Sequence, residues 1–120
     1  MQVSEVQYGE QPPIDSYGAG GFRIAETFQE GSLVVSPSGV MNWGGELTPD
    51  GVAPLADLAS QIDVLLVGMG AEIAPLPAPA RAALEEAGIG VEIMSTPSAC
   101  RTYNVLLAED RRVAAALIAI

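Results

Sequence analysis

One cysteine, no histidine, and five arginines among fifteen acids bound the chemistry open to this chain. Cys100 stands in Thr96-Pro97-Ser98-Ala99-Cys100, a run that reads as a helix opening, with a hydroxyl to cap it and a proline in its first turn. With Thr96 as the cap, Ser98, Ala99 and Cys100 carry N–H groups that lack helical partners, and the dipole there lowers a thiol pKa. The other reading is structural. Unpaired cysteine is among the most buried residue types, and Ala99, Tyr103, Leu106 and Leu107 offer an apolar helical face to bury it. We take the structural reading. Asn104, four residues on, shares that face and either lines a pocket or ties the helix to a loop. The tie is the simpler account. Arg101 adds a positive charge within the same turn.

Gly68-Met69-Gly70 follows an apolar run, as a dinucleotide-binding loop would. The third glycine of that pattern is replaced by Ile73, and prolines follow where a helix should start. A tight strand exit is the plainer reading. Asp63 lies within the apolar run, at a strand edge or as a buried acid with a raised pKa. Glu109 and Arg112 are spaced for a surface pair. Trp43 reads as core or interface.

Several function classes fall away on composition. A Ser-His-Asp or Cys-His pair is impossible within one chain, as is a typical zinc site, so no metal and no cofactor are expected. A net charge of −10 opposes phosphate backbones and anionic membrane surfaces, so neither nucleic acid nor membrane is an expected partner. The longest apolar run, Val113 to Ile120, is too short to span a bilayer. Residues 1–5 hold no base and no apolar signal core, and a lone cysteine fits a reducing compartment. The expected location is cytoplasmic.

The elements that must position these residues change character midway. Gln2 to Tyr8 alternates weakly. Ile14 to Tyr17, Phe22 to Ile24 and Gly31 to Ser36 read as strands, with Val40 to Trp43 pairing back as a hairpin. A helix capped by Thr48 or Asp50 runs to about Ser60. Ile62 to Val67 suits a central strand covered on both faces. Ala80 to Ala87 is a helix stopped by Gly88, with Pro79 as a candidate first residue, and Ile89 to Met94 is the next strand. Ser98 to about Ala119 reads as one helical stretch, with a break near Glu109-Asp110. Strand, helix and strand over 62–94 form a βαβ unit with parallel strands. With no repeats and no low-complexity linker, residues 1–120 are read as one domain.

Several segments, in this order, resemble a known family: Tyr17-Gly18, Gly20-Gly21-Phe22-Arg23-Ile24, Gly31-Ser32, the Val40 to Trp43 hairpin and Ile62 to Gly70. The strongest is Thr96-Pro97-Ser98-Ala99-Cys100-Arg101-Thr102-Tyr103-Asn104, followed by Leu106, Glu109 and Arg111. The chain resembles, over residues 14 to 118, the small-domain family of the mitochondrial respiratory complex I assembly factor 3 and its bacterial relatives. The resemblance implies a three-layer α/β fold with a mixed five-stranded central sheet. It implies no settled biochemical activity.

The fold expected is therefore a compact α/β domain, its mixed sheet of about five strands carrying helices and an extra N-terminal hairpin. The function expected is a non-enzymatic protein-interaction or assembly-factor-like module, with apolar surface for a protein partner or a second copy. The alternative is a small-molecule binder or weak enzyme. Its pocket would lie at the carboxyl ends of strands 62–67 and 89–94, built from Gly68, Gly70, Thr96, Ser98, Cys100, Arg101 and Asn104, and would suit an anion or a carboxylate.

Overall fold

The computed structural model describes residues 11–120; the weak alternation over Gln2 to Tyr8 lies outside them. A three-residue strand, β1 (Ser16–Gly18), opens an antiparallel sheet with β2 (Gly21–Ile24) and β3 (Thr27–Glu30). Then come β4 (Leu33–Ser36), β5 (Gly39–Asn42), α1 (Pro49–Ala56), β6 (Val64–Gly68), α2 (Ala78–Glu86), β7 (Gly90–Met94), α3 (Thr96–Ala108) and β8 (Val113–Leu117). The central sheet runs β5-β4-β8-β6-β7. β6 pairs in parallel with both β7 and β8, and β4 pairs antiparallel with β8 and β5. The sheet is thus mixed and five-stranded, as expected.

Strand alternation sorts the core into two halves. Val34, Leu65, Val67, Ala114 and Ala116 face α1 and α2. Leu33, Val35, Leu66, Val113, Ala115 and Leu117 face α3 and the small sheet, where Phe22 and Ile24 close the layer. Trp43 belongs to the first half and donates its ring N–H to the Gly51 carbonyl at 2.9 Å.

The break expected near Glu109-Asp110 is where α3 ends, and the helix expected beyond it to Ala119 is instead a strand. Asp110 adopts a φ of 60°, its N–H bonds the Leu107 carbonyl, and the Arg111 N–H bonds the Leu106 carbonyl. These two bonds close a helix end. The following Val-Ala-Ala-Ala-Leu is a fully buried strand between β4 and β6. Alanine favours helices intrinsically, but a strand with packed layers on both faces needs small side chains, and tertiary packing overrides propensity. β3 was not expected either. Its Thr-Phe-Gln-Glu leaves no residue fully buried, so no apolar period betrays it. α2 begins two residues before Ala80 and ends by the same two-bond closure, with Gly88 at φ 86° as expected. Thr48 caps α1, accepting from the Gly51 N–H at 3.0 Å.

Arg112 pairs with Asp63 at 3.0 Å, not with Glu109. Asp63 is exposed just ahead of β6, and the hydrogen bond from Arg112 holds its carboxyl below the usual range. The strand-edge reading of Asp63 therefore holds, and the alternative of a buried acid with a raised pKa does not.

The β2–β3 turn is strained. Ala25 and Glu26 both sit at positive φ, 51° and 68°, in a two-residue loop that favours Asn-Gly. Replacing Ala25-Glu26 by Asn-Gly is expected to stabilise the fold by about 1 kcal/mol. A urea midpoint that falls would show that the turn relies on contacts of Ala25 or Glu26.

Candidate functional site

β6 and β7 are parallel neighbours, and the chain leaves them for opposite faces, to α2 after β6 and to α3 after β7. That divergence is where an open α/β sheet forms a ligand crevice. Here Thr96 occupies it. Its Oγ1 accepts the Gly70 N–H at 3.0 Å and donates to the Ile118 carbonyl at 2.8 Å. Its own N–H donates to the Gly70 carbonyl at 2.7 Å. A side chain on Gly68 would lie 2.9 Å from both Cα and Oγ1 of Thr96. The close approach that Gly68 permits is to the protein's own Thr96.

The cap of α3 is Ser95, one residue before the expected Thr96. Its Oγ accepts the Ser98 N–H at 3.3 Å, and its carbonyl accepts the Ala99 N–H at 2.9 Å. Pro97 has no N–H. The first turn of α3 therefore offers no unengaged backbone donor.

The seven residues singled out from sequence divide into two groups. Gly68, Gly70, Thr96 and Ser98 are engaged around the strand ends. Cys100, Arg101 and Asn104 instead meet residues 14–17 across a cleft of about 200 Å³ on the α3 side of the sheet. Asn104 is the tie that sequence suggested. Its Oδ1 accepts the Ile14 N–H and its Nδ2 donates to the Ile14 carbonyl, both at 2.8 Å. The Tyr103 hydroxyl donates to the Pro12 carbonyl at 2.6 Å, and Gln11 Nε2 donates to the Val113 carbonyl at 2.7 Å. α3 and β8 together strap residues 11–14 in place. Nothing in the spacing of residues 11–17 signals this wall of the cleft, because strap and helix are far apart in sequence.

Cys100 is 3% exposed at the cleft floor, and burial pushes its thiol up to about 12 from an ordinary 9.0. The Tyr103 hydroxyl is raised for the same reason. A protonated, buried thiol is a poor nucleophile. No group of three potential metal ligands occurs among the described residues.

Thr96→Val strands the Gly70 N–H and the Ile118 carbonyl and should cost about 1–3 kcal/mol in urea unfolding. Thr96→Ser keeps both bonds and should cost about 0.8 kcal/mol for the lost methyl; equal losses would show that the hydroxyl carries none of the stability. For Cys100, the folded protein holds a proton that the unfolded chain releases near its ordinary pKa. Stability should therefore fall as pH rises from 9 towards 12. Cys100→Ala should lessen that fall, and native thiol alkylation at neutral pH should be slow.

Comparison with known proteins agrees with the fold and with the sequence. Residues 14–118 match a family described as "Protein of unknown function (DUF498/DUF598)". The chain is 51% identical over 106 residues to an uncharacterised protein of Rhodobacter capsulatus, covering 88% of this chain and 83% of that one. It is 36% identical over 109 residues to NADH dehydrogenase [ubiquinone] 1 alpha subcomplex assembly factor 3 of Danio rerio, covering 88% of this chain. It spans 63% of that assembly factor's length. A crystal structure described as an outer membrane protein from Bartonella henselae superposes with a TM-score of 0.84 at 42% identity, covering 94% of this chain and 98% of that one. With residues 14–118 matched, this chain, which is similar to proteins named NADH dehydrogenase [ubiquinone] 1 alpha subcomplex assembly factor 3, belongs to the family described as protein of unknown function (DUF498/DUF598).

Proposed function

We propose that this chain is a non-enzymatic protein-interaction module that acts in the cytoplasm in the manner of an assembly factor. The observation that carries the reading is the filled strand-end edge. Thr96 occupies the place where a parallel sheet would admit a substrate, and the first turn of α3 has no unengaged donor left for an anion. Supporting it, Cys100 is buried with a raised pKa, so the strongest nucleophile by type is held protonated. No helix among the described residues is long and apolar enough to cross a membrane. Large apolar side chains stay exposed instead, with Tyr17, Phe28, Ile73 and Val105 each more than two-fifths exposed. The relatives named as assembly factors for NADH dehydrogenase suggest the kind of partner: a subunit or assembly intermediate of a respiratory complex.

The test is purification of the tagged chain from its native cells in mild detergent, with proteins identified by mass spectrometry. Subunits of the respiratory NADH dehydrogenase should be enriched well above a tag-only control. Deletion of the gene should lower assembled complex without lowering subunit transcripts. Unchanged complex levels with no enrichment would overturn the reading.

A further inference from the structure

Asn104 shows how an extended backbone is received beside α3. Its amide bonds both the N–H and the carbonyl of Ile14, each at 2.8 Å, as a neighbouring strand would. The same chain edge continues at Tyr17. The β1–β2 hairpin closes on the two-residue turn Ala19-Gly20, both at positive φ, so Gly18 with Gly21 and Ser16 with Arg23 are the hydrogen-bonded pairs. The Asp15 N–H also donates to the Arg23 carbonyl, at 2.9 Å. Ser16 and Gly18 thus direct their backbone groups at β2, as does the Asp15 N–H. Tyr17 directs its N–H and carbonyl away from β2, along the edge that Asn104 caps at Ile14. Among the described residues these two groups have no backbone or side-chain partner.

That edge opens into the cleft of about 200 Å³. Its one wall is the four consecutive residues from Ile14 to Tyr17, and its other is Pro97, Cys100 and Arg101 with Asn104. Of these four consecutive residues, Ser16 and Tyr17 belong to β1, so the cleft reaches from the Asn104-bound Ile14 to the strand itself. It is smaller than the roughly 300–1,000 Å³ of pockets for drug-sized ligands, which suits the end of an extended peptide. The charges indicate which end. Arg101 is exposed and has no ion pair among the described residues. The one acid in the lining, Asp15, accepts the Glu26 N–H at 3.4 Å and is thereby drawn to the β2–β3 turn. In a chain of net charge −10, an exposed guanidinium with no ion pair among the described residues, beside the Tyr17 edge of β1, is matched by a carboxylate.

We propose that the β1–α3 cleft receives the free C-terminus of a partner polypeptide. The partner's last residues extend the small sheet by pairing with the Tyr17 backbone, and its terminal carboxylate meets the Arg101 guanidinium. The proposal rests on the interaction reading above and names the part of the partner that is recognised.

The experiment selects binders to the full chain from a randomised peptide library displayed with free C-termini. The selected peptides are then titrated into isotope-labelled protein. The largest amide shifts should fall at Tyr17 and Arg101. Amidating the peptide C-terminus and Arg101→Gln should each weaken binding about tenfold or more, and the two losses should not add. An unchanged melting temperature for Arg101→Gln shows that the variant is folded. Failure to select any peptide, shifts confined to another surface, or indifference to amidation would overturn the proposal. So would acetate alone giving the same shifts at the same concentration. If these results come with successful enrichment of respiratory subunits from cells, the interaction role stands and the partner docks elsewhere.

Discussion

A single hydroxyl joins the ends of three chain segments. Thr96 Oγ1 takes the Gly70 N–H just after β6 and gives its proton to the Ile118 carbonyl just after β8, while Thr96 itself opens the helix that follows β7. Parallel strands exit a sheet on the same side, and their first unpaired N–H and carbonyl groups need partners wherever water is kept out. In many α/β proteins that need is met by a bound ligand. Here it is met internally, and Gly68 is required because any side chain would collide with Thr96. The rest of the α3 side depends on this anchor, since it fixes where the helix begins and so where Cys100, Tyr103 and Asn104 fall.

The helix start illustrates how far the sequence could be read. Thr96-Pro97 announced a helix, Thr48 announced another and Gly88 ended a third, because capping and proline chemistry act over a few residues. The βαβ unit over 62–94 was equally legible, from its apolar run and its length. What was illegible depended on distant partners. Val113 to Leu117 carries helix-favouring alanines, and only the layers packed on both its faces make it a strand. The strand over Thr27 to Glu30 is held by β2 and shows no apolar period of its own. At the site, the residue types were visible, but their division was not. Gly68, Gly70 and Thr96 serve one another, whereas Cys100, Arg101 and Asn104 face residues 14–17, a strap no local pattern connects to α3.

The same economy explains how polar side chains are used in an acidic and largely apolar domain. Asn104, Tyr103 and Gln11 spend their hydrogen bonds on backbone groups of the strap and of β8. Arg112 is held by Asp63 at the surface. Arg101 differs from these in lying beside a cleft with no such engagement among the described residues.

The central place of β8 has a consequence for how the chain reaches its fold. β4 and β5 form one antiparallel pair and β6 and β7 a parallel one, and among the described residues only β8 connects the two. Leu33 must find Leu117, and Val64 must find Val113, before the sheet exists as one object. Such distant pairings carry the loop-closure entropy of the intervening chain before any contact repays it. The hairpin and the βαβ unit can each take shape locally, but neither has a covered inner edge until residues 113–117 insert. Folding of this domain is therefore expected to be slow for its size and concerted. Until that insertion, two hydrophobic strand edges stay exposed together, the interval in which the protein is most vulnerable to aggregation.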